Sequence, residues 1–174
     1  AEHDLPSLDD LTATVAGAHR AGRPVAVHAA SRATVVLALA ALEAAGVHRD
    51  DRIEHASVAP PELATWMARL GVTVVTQPGF VAAHGDRYLD EVEADDRPWL
   101  YRGRGFVDAG VPLAFGSDAP FGPEDPWRAL QAAVNRRTAD GRLLGSDEGL
   151  SPERALAAGT GSADGPGRTP RRVA

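Results

Sequence analysis

PVAVHAASRATVVLALAALEAAGVHRDDRIEHASVAPPELATWMARLGVTVVT, residues 24–76, is the stretch that decides the fold. It opens on a short β-branched run, Pro24 to His28, which reads as a buried strand. Ser31 stands where a helix N-cap belongs, Thr34 to Ala45 carries a long helix, and Gly46 closes it. Arg52 to His55 is a second short strand, Pro60 to Leu70 a helix with proline at its start, and Val72 to Thr76 a third strand. Short apolar strands alternating with helices imply a parallel sheet joined by right-handed crossovers.

The same alternation extends in both directions. Leu8 to Ala21 has apolar residues at helical spacing, and Gly22 ends the pattern. After Gln77 the period breaks: Pro78 to Arg97 mixes aromatics, acids and glycines and reads as an elaborated loop. Trp99 to Ala109 reads as helix, stopped by Gly110, and Val111 to Phe115 is a fourth strand running into Gly116-Ser117-Asp118-Ala119-Pro120. Pro126 to Asn135 is a further helix, and Ser151-Pro152-Glu153 opens a last short one that ends by Gly159. Residues 161–174 are rich in Gly, Pro and Arg and are expected to form a disordered tail outside a folded unit of residues 1–160.

Composition narrows the chemistry. A chain of 174 residues, 44% hydrophobic, can bury one sizeable core, and its 18 glycines and 13 prolines punctuate apolar runs instead of forming low-complexity tracts. A formal net charge of −6 gives no electrostatic footprint for nucleic acid or an anionic membrane, so the expected partner is a small molecule. No apolar run approaches the roughly 18 to 20 residues of a membrane span, and no basic-then-apolar leader is visible; the expectation is a soluble, cytoplasmic protein. With no cysteine there is no disulfide, thiol nucleophile or thiolate metal site, which leaves imidazoles and carboxylates as ligand types. All 18 basic residues are arginine, so neither a Schiff base nor a carboxylated-lysine metal bridge can be built from this chain.

Two architectures fit four βα units. A doubly wound sheet usually carries a glycine-rich turn after its first strand, and no G-x-G-x-x-G or P-loop pattern occurs at any strand end here. Half of an eight-stranded barrel fits better, and in that fold chemistry sits at the carboxyl ends of the strands. The polar residues fall there: His28 ends the first strand, His55 the second, Gln77 follows the third and Asp118 the fourth. Two histidines and an aspartate suit a divalent ion of borderline hardness. Each histidine alone is more often a hydrogen-bonded core or surface residue than a ligand, and Asp118 is as readily the cap of an Asx turn. Their recurrence at equivalent positions favours a shared site.

Three segments, VAVHAASRATVVLALAALEAAG (25–46), RIEHASVAPPELATWMARLGVTVVTQP (52–78) and LAFGSDAPFGPEDPWRALQAAVNRR (113–137), resemble the metal-dependent amidohydrolase superfamily, its amidohydrolase family 3 branch most closely. The ordered trio VHA, RIEHA and GSDAP is specific, and the resemblance runs from about Leu8 to Gly159. It implies a distorted (β/α)8 barrel of which these are strands five to eight, residues 1–160 being the C-terminal half. It implies that His28 is the strand-five metal ligand, His55 the strand-six ligand and Asp118 the strand-eight aspartate, which also takes a proton from metal-activated water and returns it to the leaving nitrogen. The implied activity is hydrolysis of a non-peptide C–N bond in an amide, cyclic amide or formamide-like substrate, with zinc the expected ion. Gln77 and Phe80 leave the third strand toward that site and are candidate substrate contacts.

Several parts of the family pattern have no counterpart. No H-x-H pair occurs, the strand-four ligand is missing, and Ala29-Ala30-Ser31-Arg32 stands where many members read I-G-D-R. An isolated half barrel would expose two strand edges, so the chain is expected to pair with a missing N-terminal half or, as a homodimer, with a second copy. The rival reading is an inactive remnant serving as an interaction module. His3, His19, His48 and His84 read as solvated, Trp66, Trp99 and Trp127 as helix packing residues, and Arg136 and Arg137 as a solvated helix end.

Overall fold

Side-chain caps set the boundaries of the helices. In the computed structural model, which describes residues 5–161, Ser7 accepts from the Asp10 amide to start α1 (Leu8–Arg20). Ser31 and Thr34 form a reciprocal capping box that starts α2 (Arg32–Ala45). Pro61 opens α3 (Pro61–Leu70), which ends on left-handed Gly71. Asp125 and Ser151 cap α6 (Pro126–Asn135) and α7 (Pro152–Gly159), each with proline in the first turn. Between them run four short strands, β1 (Ala26–Ala29), β2 (Arg52–His55), β3 (Thr73–Thr76) and β4 (Leu113–Phe115).

The strands form one parallel sheet in the order β1-β2-β3-β4. Sequential order with helical crossovers is the winding of a (β/α)8 barrel, whereas a doubly wound sheet reverses direction at a switch point. The fold is therefore α/β, an arc of such a barrel, as the sequence pattern predicts.

Register separates the faces of the sheet. Val27, Ile53, Val74 and Leu113 lie in one row and pack into the core with Val35, Leu39 and Leu42 of α2 and Leu63 and Met67 of α3. A fully buried side chain of this kind contributes about 1.5–3 kcal/mol. The adjacent row, His28, Glu54, Val75 and Ala114, alternates to the opposite face. That face also carries Arg52, ion-paired with Glu54.

Two predicted elements differ from those observed. Residues 78–97, expected as a loop, contain the helix α4 (Gly79–Glu91). Its glycines are packing residues: a Cβ on Gly85 would sit 2.5 Å from Thr138 Cγ2, and one on Gly79 3.0 Å from Pro123 Cδ. The expected helix over Trp99–Ala109 is a 3-10 turn (Arg97–Trp99) and a short α5 (Arg104–Asp108). The chain between them is drawn off the helical path by a bridge from Leu100 to Val58 and by donation from the Tyr101 amide to Ser57 O at 2.9 Å. The disordered tail expected at 161–174 lies, beyond residue 161, outside the described residues, as does His3. Among the described residues no helix is long and apolar enough to cross a membrane.

Candidate functional site

β1 and β2 bring His28 and His55 together. Pairing places His55 beside Ala29, which is buried on the helix-facing side of the sheet, so simple alternation would turn the His55 ring into the helix layer. It does not go there. His55 has φ 72 and Ala56 φ 47, and the Ala56 amide donates to Glu54 O at 3.0 Å, closing a three-residue turn of the strained, positive-φ kind. The His55 ring instead meets the His28 ring edge-on, centroids 4.5 Å apart and planes at 69°. Left-handed backbone at a non-glycine residue costs about 1–3 kcal/mol and concentrates at functional sites.

Gln77, directly after β3, fixes the orientation of that ring. Its Oε1 lies 2.8 Å from His55 Nδ1, and its Nε2 donates to Val75 O at 3.1 Å. A main-chain carbonyl only accepts, so the amide end faces Val75 and the carbonyl end faces His55. His55 Nδ1 is thus the donor, which leaves Nε2 as the nitrogen that carries the lone pair whenever the ring holds a single proton. The exposed His28 ring makes no hydrogen bond among the described residues.

Asp118 leaves β4 through a separate construction. It has φ 51, its carbonyl accepts from Phe121 N at 2.9 Å and Gly122 N at 3.2 Å, and the Ala119–Pro120 peptide inside this turn is cis. Its carboxylate is exposed and accepts no hydrogen bond among the described residues, so the Asx-cap alternative does not apply. Gly116 would tolerate a Cβ at ordinary contact distance of 3.5 Å from Gln77 Nε2 and Val75 Cγ1. The glycine that the turn demands is Gly122, whose Cβ would lie 2.1 Å from Ser117 O and 2.7 Å from Phe80 Cε1.

The turn is braced from α4. Phe80 lies beneath Gly122, and His84 donates from Nε2 to Phe121 O at 2.9 Å. Phe80 is in turn edge-on to Tyr101, centroids 5.5 Å apart, and Tyr101 stacks on Tyr88 with hydroxyls 3.3 Å apart. Burial chiefly, with Tyr88 and the Asp118 charge adding to it and the Ser57 hydroxyl opposing, raises the Tyr101 phenol above its ordinary range, so it stays protonated. Gln77 and Phe80, expected as substrate contacts, are both buried and engaged within the chain.

The three sequence-predicted ligands are not gathered at one point. His28 and His55 are in contact, whereas among the described residues no group of three or more His, Asp or Glu side chains is arranged to hold a metal ion. Other expectations need correction. His19 is bound to buried Asp51 at 3.0 Å, and Asp51 also accepts from the Val25 and His48 amides, tying α1 to the amino end of the sheet. Half-buried His48 accepts from the Asp50 amide through Nδ1, and His84 is helical. Arg136 is 1% exposed, while Arg137 is exposed as expected. Trp127 is 71% exposed and so packs little, whereas Trp66 and Trp99 pack against the hydrophobic core.

Residues 2–164 match the Amidohydrolase family, and the chain belongs to it. It is 32% identical over 139 residues to YtcJ of Bacillus subtilis (strain 168), a protein named as an amidohydrolase, covering 79% of this chain and 26% of that one. It is 30% identical over 164 residues to the N-substituted formamide deformylase of Arthrobacter pascens, covering 85% and 30%. A crystal structure described as an uncharacterized metal-dependent hydrolase from Pyrococcus horikoshii OT3 superposes with a TM-score of 0.78 at 30% identity, over 88% of this chain and 32% of that one. The chain spans about a quarter to a third of the length of these relatives.

Proposed function

We propose that this member of the Amidohydrolase family supplies part of the active site of a metal-dependent hydrolase acting on a non-peptide C–N bond, in an amide, cyclic amide or formamide-like substrate. The observation that carries the reading is the His28–His55 contact, built from adjacent strand ends at the cost of a left-handed His55. The name of the formamide deformylase relative supports the substrate class, and that of the Pyrococcus relative supports a divalent ion.

The donors fit such an ion. Two imidazoles in contact, one with its Nδ1 engaged by Gln77, suit zinc as two of its ligands. An ion at this place supplies Lewis acidity, lowering the pKa of water toward neutrality and polarising a carbonyl. The residues of this chain do the rest. His28 and His55 would hold the ion, and Asp118 would bind it too, taking a proton from the attacking water on its exposed carboxylate and returning it to the leaving nitrogen. Gln77 and Phe80 reach substrate only through groups they position.

A second reading has its own support. Because the described residues hold no three-ligand group, the chain can instead be a catalytically inactive module whose surviving histidines no longer complete a site. The outer edges of β1 and β4 are unpaired in the described sheet. In either reading they are covered by the remainder of a barrel or by a second copy, with no nucleic-acid or membrane partner, in a cytoplasmic protein. Elemental analysis of the purified chain separates the two. About one zinc per chain, lost on His28→Ala with His55→Ala, together with hydrolysis of an N-substituted formamide, supports the enzyme. A folded wild-type chain that stays free of metal both alone and when paired with the remainder of a barrel refutes it.

A further inference from the structure

We propose that Gln77 is a positioning residue for His55: its carboxamide fixes the ring in the Nδ1–H tautomer and so makes Nε2 the atom available to a metal ion. Three observations converge. Gln77 is 3% exposed, so its amide must find partners inside the chain. Both ends find one, His55 Nδ1 at 2.8 Å and Val75 O at 3.1 Å, and the second bond fixes the sense of the first. The left-handed turn at His55 brings the ring into the one place where it meets both Gln77 and His28.

The order of elements explains why β3 provides this group. β3 lies next to β2 with Glu54 opposite Val75, so Gln77, the first residue past the end of β3, stands one position beyond His55, within reach of the ring that the turn displaces. A carboxylate there would also accept from Nδ1, but it would lack the donor that anchors the amide on Val75 O and would add a negative charge beside the site. A carboxamide gives one acceptor of fixed direction and no charge. Outer-sphere partners of this kind are worth about 10- to 100-fold in metal affinity.

The inference rests on the proposed function only for what His55 holds; the tautomer stands without it. The test uses the full chain, 15N-labelled at histidine. In the metal-free protein the His55 resonances should show a pyrrole-type Nδ1 and a pyridine-type Nε2, and Gln77→Leu should convert them to a tautomer mixture. Competition titration with zinc should show affinity about 10- to 100-fold weaker in Gln77→Leu. Gln77→Glu keeps an acceptor and should keep the Nδ1–H tautomer, which provides the readout should the leucine variant fail to fold. An Nε2–H tautomer in the wild type, or one unchanged in Gln77→Leu with unaltered zinc affinity, overturns the proposal and leaves the metal reading standing. A tautomer that shifts as expected in a wild-type background that binds no zinc, alone or paired with the remainder of a barrel, supports the positioning role and removes the proposed function.

Discussion

Replacing Arg136 with methionine tests how the chain supports the Asp118 side of the site. Arg136 occupies the left-handed C-cap of α6. Its guanidinium donates to Leu100 O at 2.9 Å, Tyr101 O at 2.8 Å and Leu144 O at 2.9 Å, with a further contact to Gly145 O. Gly145 O retains Glu148 N as a donor in the variant, but the other carbonyls are left buried without one. At about 1–1.5 kcal/mol each, their loss amounts to about 3–4.5 kcal/mol. Release of the guanidinium from a site whose burial lowers its pKa to about 10 offsets part of this, and a net loss of about 2–4 kcal/mol remains. Glu148 is not stranded, since Arg102 donates to it at 2.7 Å. Arg136→Lys keeps a buried charge without the planar fork, so it should lose at least as much. Urea unfolding followed by tryptophan fluorescence measures both. An Arg136→Met midpoint corresponding to less than about 1 kcal/mol at unchanged slope would refute the assignment of these carbonyls to this one side chain.

Gly85→Ala, which puts a methyl 2.5 Å from Thr138 Cγ2, should cost about 1–3 kcal/mol by overpacking where α4 meets Thr138; a neutral thermal melt would contradict the packing role. Gly122→Ala must move the Asp118 turn, because its Cβ would lie 2.1 Å from Ser117 O, and amide chemical-shift changes should centre on residues 117–123 with similar destabilisation. The Asp86 carboxyl is held below its ordinary 3.8 chiefly by the Thr138 hydroxyl, with the Asp140 amide and Arg142 assisting. Its folded-state pKa is depressed, so its stabilisation is present above pH 3.8 and is lost as pH falls through the lower folded value. Asp86→Asn should therefore flatten the acid limb of a stability–pH curve below about pH 4, and an unaltered limb would remove Asp86 from that role.

The strands, α2, α3, α6 and α7 were legible because each carries a local signal: β-branched runs, Ser31 and Ser151 caps, prolines in the first turn and terminal glycines. α4 was not, because its glycines look like breakers until Thr138 and Pro123 are seen against them. Close packing between segments about fifty residues apart leaves no mark on local periodicity. Arg136 was misread for the same reason: a helix-end arginine is normally solvated, and its carbonyl partners come from segments that sequence cannot bring near. Of the site, the positions of His28, His55 and Asp118 at strand ends followed from alternation alone. The turn that rotates His55 did not, since nothing in RIEHA announces a positive φ.

Gln77 and Phe80 were singled out as substrate contacts on the ground that they leave β3 toward the site. The structure gives both another use, and a common one. Gln77 holds the His55 ring from one side, and Phe80, one helical turn on, supports the turn that carries Asp118 from the other. His84, a further turn along α4, binds the same Asp118 turn through Phe121 O. A single segment, the end of β3 and the first two turns of α4, therefore connects the imidazole pair to the carboxylate across the sheet. His28 and His55 are in contact, and among the described residues Asp118 forms no three-ligand group with them. Phe80→Ala, which removes the contact beneath Gly122, should then shift both the amide resonances of residues 117–123 and the His55 ring resonances, and a change confined to residues 117–123 would show that the segment does not couple them.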